Sequence, residues 1–540
     1  MAMTARDLLA RGRLEARYAA TMARAVGPQA VRGNPLRYLG VATAAWQHGV
    51  AGAGTAAAAA MNPHGVAIVD DRGSLTSAEL HRRSTALAAA LYATGVDAGS
   101  SIGILCRNHR EFFEVFFAAS KLGARTLLLN TDFSAPQLTE VCGREGVDVL
   151  VHDGEFADRT TLLDPSVRRL VAHREAGDPD DAAATDTLIR HADPRVLPRP
   201  RRAQRVVLLT SGTTGTPKGA PRDIDATLAA PGGVLSRIPL RPGRTVVVAA
   251  PLFHAWGLSM AMLSFGLGST VVVSRRFDAA ATLAAMAERR ADTLITLPVL
   301  LGRLVAAVEA SDRPPRLQHL RVIALSGSAL RPELAERATR AFGPVVHNLY
   351  GSTEVAAVAI ATPQDLAAAP GTVGRPPFGT VVRILDDRDR PVRHGAVGRI
   401  FVRSSMQFGG YTGGGSKRVV DGFMSTGDLG HLDRDGRLHV EGRDDDMIVS
   451  GGENVFPLEV ENLLATHPSV REAAVVGVPD EEFGARLAAF VVVDGPITAD
   501  AVRDLVRQNL ARYKVPRDVI FVDELPRNPA GKVVKRLLDT

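Results

Sequence analysis

From about residue 66 to 155, short apolar runs alternate with longer stretches of helical spacing. The runs at 66–69, 101–106, 125–130 and 147–153 read as strands, because each is a compact block rich in Val, Ile and Leu ended by Asp, Asn or Cys. Between them, Thr76-Ser-Ala-Glu79 is a capping box that predicts a helix running to Gly95. The spacing over Arg110–Leu122 predicts a second helix, and Ser134-Ala-Pro-Gln137 caps a third. Such an alternation predicts a largely parallel sheet covered by helices. Residues 155–203 turn polar and proline-rich and read as a surface connection. Further buried strands are expected at Val206–Leu209, Val246–Ala250 and Val322–Leu325. From 371 to 440 the pattern changes to many short runs split by Gly and Asp, which predicts a small antiparallel barrel or sheet. Beyond 446 two helical stretches, Pro457–Thr466 and Ala499–Ala511, and two apolar runs at 473–479 and 487–493 predict a compact α+β unit.

The run Val206–Leu209 leads into Thr210-Ser-Gly-Thr-Thr-Gly-Thr-Pro-Lys-Gly219. Glycines let a backbone approach a ligand closely, hydroxyls and N–H groups can ring a phosphate chain, and Lys218 adds charge. The common phosphate loop G-x-x-x-x-G-K-[ST] does not fit. Counting from Gly212, the second glycine position is Pro217, and Gly219 stands where a magnesium-binding hydroxyl belongs. Lysine is scarce in this arginine-rich chain: Lys121, Lys218, Lys417, Lys514, Lys532 and Lys535 are the whole set. Lys218 and Lys532 stand in glycine-containing loops, where a compact ammonium suits a crowded phosphate site better than a guanidinium fork.

On these residues the chain resembles the adenylate-forming enzymes, a superfamily of acyl-CoA synthetases, luciferases and peptide-synthetase adenylation domains. Four further stretches resemble the family's motifs in its order: Tyr350-Gly-Ser-Thr-Glu354, Thr426-Gly-Asp428, Gly442–Asn454 and Pro526-Arg-Asn-Pro-Ala-Gly-Lys532. The resemblance implies that Thr210, Ser211, Gly212, Thr213, Thr214, Gly215 and Lys218 bind the β- and γ-phosphates. It places adenine against Gly327, Ser328, Ala329, Tyr350 and Gly351, and the ribose on Asp428 and Arg443. Thr353 would hold the α-phosphate, Glu354 the magnesium ion, and Lys532 would bridge the substrate carboxylate and α-phosphate. His254 would stand beside the acyl site, and Asp445 would be a hinge about which the C-terminal domain turns between half-reactions. The family commonly has Glu after the glycine of Val397-Gly-Arg399; Arg399 is expected at the surface. The aspartate that binds an amino-acid ammonium near His254 in some relatives is absent, which argues against an α-amino acid substrate.

Composition adds a frame. The 540 residues exceed one ordinary core, and 46% hydrophobic with 23% charged residues fits a water-soluble multidomain protein. The charge of +6 comes without aromatic–basic clustering, so no nucleic acid is expected; contact with anionic small molecules or a peripheral membrane surface fits it. Cys106 and Cys142 are the only cysteines, which fits a reducing cytoplasm. Residues 41–61 are too weakly apolar for a membrane span, and Arg6–Ala25 has helical spacing suited to packing on the body.

The expected fold is α/β: a large N-terminal domain of doubly wound α/β subdomains plus a small β-barrel, with a smaller mobile α+β C-terminal domain. The expected divisions are an extension over 1–60, an AMP-binding domain over 61–442, a hinge over 443–446 and a lid domain over 447–540. The expected activity is ATP-dependent activation of a medium- or long-chain fatty acid to acyl-AMP, then transfer to CoA, with Mg2+ accompanying ATP. An acyl-AMP ligase serving a carrier protein, an aryl- or cyclic-acid–CoA ligase and a non-catalytic relative are the alternatives. Assembly is left open, with a homodimer among the options.

Overall fold

The computed structural model describes residues 13–21, 23, 51–174, 184–194, 197–200, 204–210, 218–223, 229–444, 448–450, 453–480, 484–510, 512–528 and 531–538. The chain forms two compact units: Met1–Leu325 with Ser405–Ser416, and Ser326–Ser404 with Lys417–Thr540. The expected α/β class holds.

The first unit contains two sheets. One has the spatial order Arg168–Val171, Val149–His152, Ser101–Leu105, Arg125–Leu128, Arg205–Thr210, Lys218–Asp223. Its pairs are parallel except the last, an antiparallel hairpin. The other runs Val322–Leu325, Thr293–Thr296, Thr245–Val248, Thr270–Val272, Val66–Asp70, Gly73–Thr76, again parallel with an antiparallel edge. Short Val/Ile/Leu runs become parallel strands because both faces are covered by helices. Both expected capping boxes form, at Thr76–Glu79 and Ser134–Gln137. Helix Arg110–Leu122 is buried along its whole length, including Glu111, Glu114 and Lys121. Phe113 and Phe117 meet Phe265 of helix Ala255–Gly266 edge-on, with ring centroids 5.1 and 5.7 Å apart. Residues 13–21 are helical, and Tyr18 is 2% exposed against Gly232, so this part of the N-terminal extension packs on the body. No helix among the described residues is long and apolar enough to cross a membrane.

The second unit carries a hairpin, Val346–Ser352 with Ala356–Ala361. The small β element forms as an antiparallel sheet: Val381–Leu385, Gly398–Arg403 and Phe423–Leu432 in order, with Val419–Val420 and Leu438–Arg443 both paired to Phe423–Leu432. Arg399 is not on the surface as expected. Its side chain is 14% exposed and its guanidinium bonds Asp389 Oδ1 at 3.2 Å. The C-terminal sheet pairs Val470–Asp480, Gly484–Val493 and Asp518–Phe521. Its strands alternate: Val475, Leu487, Ala489 and Val491 pack with Val460, Leu464, Val502 and Val506 of helices Pro457–Leu464 and Ala499–Asn509, whereas Ala474, Phe490 and Val492 pack with Leu525.

Candidate active site

In the first unit, strand Arg205–Thr210 is held between Arg125–Leu128 and Lys218–Asp223, and Thr210 pairs in register with Lys218. The two ends of the hydroxyl- and glycine-rich turn are therefore fixed opposite one another. Ser211, Gly212, Thr213, Thr214 and Gly215 lie outside the described residues, as does Asp445. Lys218 is the first residue of a strand, a role the loop composition did not suggest. His254 stands at the N-cap of helix Ala255–Gly266, half-buried, with its ring 4.5 Å from that of Phe253. The apolar stretch after it is mostly core: Leu258, Met260, Ala261 and Phe265 are buried.

In the second unit, Gly327 has a φ of 98° in the loop before helix Pro332–Phe342, which also holds Ser328 and Ala329. Tyr350 and Gly351 lie on strand Val346–Ser352, where the register shifts. A Cβ on Gly351 would meet the Ala356 carbonyl oxygen at 2.0 Å, so only glycine permits this close turn. The turn leaves Thr353 half-buried and Glu354 buried. Ser352 Oγ donates to Glu354 Oε2 at 2.8 Å and accepts from the Glu354 N–H at 3.3 Å, which orients the carboxylate.

Asp428 and Arg443 are register partners on adjacent antiparallel strands. Two motifs separate in sequence thus present their side chains together, with Arg443 Nη1 3.4 Å from Asp428 Oδ1. The Tyr350 hydroxyl donates to Asp428 Oδ2. Burial raises the Asp428 pKa against the pull of Tyr350 and Arg443, and burial with the neighbouring Asp428 charge pushes the Tyr350 phenol well up.

Lys532 closes the set. Asn528 clamps its backbone: the Lys532 N–H donates to Asn528 Oδ1 at 3.0 Å, and the Asn528 N–H donates to the Lys532 carbonyl at 2.8 Å. Gly531 precedes it with a φ of 75°. Lys532 is exposed as a residue, with its ammonium partly desolvated. That desolvation lowers its pKa, Asp428 raises it, Arg443 lowers it and Glu354 raises it. Two other lysines towards the C-terminus are paired: Lys535 Nζ with Glu461 at 2.7 Å and Lys514 Nζ with Glu459 at 2.5 Å. Tyr350, Glu354, Asp428, Arg443 and Lys532 therefore form one electrostatically coupled group. Such a group can stack a base, hold a diol, carry a hard cation on a carboxylate and set an ammonium against an anion.

Among the described residues, one group has metal-ligand spacing: Cys106, His109 and Asp153, all buried. His109 Nε2 is 2.8 Å from Asp153 Oδ1 and Nδ1 is 2.8 Å from Glu111 Oε2. Burial opposes a charge there, but the two carboxylates raise the imidazole pKa to about 9. His109 thus lies between two carboxylates in a buried charged cluster. Sequence reading missed it, because Asp153 is brought to His109 from more than forty residues further along the chain.

The model of the AMP-binding enzymes matches residues 55–412, and that of the AMP-binding enzyme C-terminal domain matches 459–532. A feruloyl-CoA synthase from Amycolatopsis sp is 35% identical over 484 residues, covering 88% of this chain and 96% of the relative. An indoleacetate–CoA ligase from Aromatoleum aromaticum is 32% identical over 490 residues, covering 88% and 95%. The structure of o-succinylbenzoate CoA synthetase from Bacillus subtilis, in complex with its acyl-adenylate intermediate, superposes with a TM-score of 0.80. It is 28% identical and covers 90% of this chain and 98% of that one.

Proposed function

Because the chain belongs to the AMP-binding enzyme family, we propose that it is an acid–CoA ligase that forms an acyl-AMP and whose acid carries a ring. A medium- or long-chain fatty acid is the expectation from sequence. Relatives named for feruloyl, indoleacetate and o-succinylbenzoate substrates favour the aryl- or cyclic-acid alternative, whereas one named as a fatty acid–[acyl-carrier-protein] ligase supports the acyl-carrier reading as the second. The observation that carries the reading is the coupled group of Tyr350, Glu354, Asp428, Arg443 and Lys532, gathered from motifs that the sequence scatters between 350 and 532.

In the first half-reaction a carboxylate oxygen attacks the α-phosphorus of ATP and pyrophosphate leaves with the bonding electrons. The product is a mixed anhydride whose leaving group, AMP, is far better than oxide. We assign Asp428 and Arg443 to the ribose, and Tyr350 with Gly327, Ser328, Ala329 and Gly351 to adenine. The Thr210–Lys218 turn takes the outer phosphates, and Thr353 the α-phosphate. Lys532 neutralises the approaching carboxylate and the phosphoryl oxygens, and one such fixed donor is worth roughly 2.7–4 kcal/mol. His254 is assigned to the acyl side. A Glu354 carboxylate oriented by Ser352 suits Mg2+, which takes one or two carboxylates alongside substrate phosphates and would offset charge on them. In the second half-reaction the CoA sulfur attacks the acyl carbon and AMP departs.

The test is a panel of hydroxycinnamates, arylacetates and alkanoates, reading AMP release with and without CoA. Ring-bearing acids are expected to exceed alkanoates of equal carbon number by at least about tenfold in kcat/KM. A higher value for alkanoates would restore the fatty-acid reading. AMP release that needs a carrier protein rather than CoA would favour the acyl-carrier alternative. Lys532→Ala is expected to lower acid-dependent pyrophosphate exchange by about 100-fold or more, yet still convert supplied acyl-adenylate to thioester. Equal loss of both steps would refute the role given to Lys532.

A further inference from the structure

The segment Ser405–Ser416 belongs to the first unit, and it straps the outer edge of the hairpin that carries the 210–219 turn. The Arg222 guanidinium donates to the Met406 carbonyl. The Thr412 N–H donates to the Gly219 carbonyl at 2.9 Å, and the Thr412 hydroxyl donates to Glu145 Oε1 at 2.8 Å. Glu145 is itself paired with Arg125 and with Arg144. The contact is close: a Cβ on Gly219 would meet Thr412 Oγ1 at 2.6 Å, Glu145 Oε1 at 2.8 Å and Val207 Cγ1 at 2.9 Å. One residue before Thr412, the Tyr411 ring stands edge-on to buried Phe408 with centroids 4.8 Å apart. The Tyr411 N–H donates to the Gly415 carbonyl at 3.1 Å, and the Gly414 N–H to the Tyr411 carbonyl at 3.0 Å, so ring and backbone are both held. The Lys218 ammonium lies 5.5 Å from the centroid of that ring.

We propose that Tyr411 is a positioning residue for Lys218: its ring, fixed by Phe408 and tied through Thr412 to Gly219, holds the ammonium beside the Thr210–Lys218 pairing before nucleotide arrives. This rests on the reading of the 210–219 turn as a triphosphate-binding element. A ring face takes one side of an ammonium and leaves other N–H donors for phosphate oxygens. A lysine on a four-carbon stem loses much rotamer freedom when it engages a ligand, and a ring that has already gathered it lowers that loss.

The experiment is a double-mutant cycle on Mg-ATP affinity, read by calorimetry, with no acid substrate required. Tyr411→Leu is expected to weaken binding about two- to fivefold, Tyr411→Phe to bind as wild type, and Tyr411→Leu in a Lys218→Met background to add nothing further. In pyrophosphate exchange, Tyr411→Leu is expected to raise the KM for ATP by the same factor and leave that for the acid unchanged. An equal loss from Tyr411→Leu with and without Lys218, an unchanged affinity in Tyr411→Leu, or a parallel rise in the acid KM would each overturn the proposal. Wild-type protein that binds ATP but exchanges pyrophosphate with no acid would remove the proposed ligase activity while the binding cycle still decides the role of Tyr411. Wild-type protein that binds no ATP would overturn both.

Discussion

Lys121, in the last turn of helix Arg110–Leu122, carries an amine into the protein interior, where it is fully buried. Its Nζ donates to Ser84 Oγ at 2.7 Å, Thr85 Oγ1 at 2.8 Å and the His81 carbonyl at 3.1 Å, and lies 3.4 Å from His81 Nδ1. Desolvation alone pulls its pKa well below the usual lysine value. The unfolded chain keeps this proton up to about pH 10.4, and the folded chain releases it earlier. The unfolded state therefore binds more protons between the two values, and stability rises with pH through that window. The cost is full below the folded pKa and vanishes above the unfolded one. Lys121→Met should remove it, because Ser84 and Thr85 already donate to the carbonyls of Leu80 and His81. The expected gain at low pH is about 1.4 kcal/mol for each pH unit of depression, with a flatter pH dependence of the urea midpoint. A midpoint that drops, or an unchanged pH slope, would contradict this. As a string of letters, Lys121 looked like any lysine in the last turn of a helix; only its neighbours make it unusual.

At the scale of elements, local hydrogen bonding was legible and edge pairing was not. The capping boxes at Thr76 and Ser134 join residues three apart, so the pattern alone specifies them. Strands Gly73–Thr76 and Lys218–Asp223 escaped the pattern. Each is an edge strand held by a hairpin partner, and what decides it is the neighbour's register rather than its own apolar content. The Tyr350–Glu354 turn combines both cases. Its letters marked a site, while the need for glycine at 351 comes from the Ala356 carbonyl across the hairpin. Gly351→Ala must push that carbonyl away and with it the turn that carries Glu354. The expected cost is about 1–3 kcal/mol in thermal unfolding, with a weaker Mg-ATP affinity. A variant as stable as wild type with unaltered affinity would show that the turn yields freely.

For the whole molecule, the order of motifs was readable but their meeting was not. Asp428 and Arg443 could each be picked from a short match, yet what joins them is the pairing of two antiparallel strands. Lys532 comes within electrostatic reach of Asp428 and Glu354, both far earlier in the chain. Asp445, outside the described residues, follows strand Leu438–Arg443 closely, and we keep it as the proposed hinge between the two half-reactions. Asp445→Pro fixes one dihedral and removes one N–H donor. Pyrophosphate exchange is expected to stay within about threefold of wild type, while thioester formation falls by about tenfold or more. Thioester formation at the wild-type rate would end the hinge assignment.

By itself the sequence determined the α/β class, the helix starts at Thr76 and Ser134 and the places of the motifs proposed to bind nucleotide. These depend on contacts within a few residues and on periodicity, which a linear string records. Tertiary structure alone decided that Lys121 is buried, that Arg399 is tucked against Asp389, that His109 is caught between two carboxylates and that Tyr411 faces Lys218. The reason is physical. Desolvation and charge coupling act through space over a few ångströms, and the residues that supply them here come from distant parts of the chain.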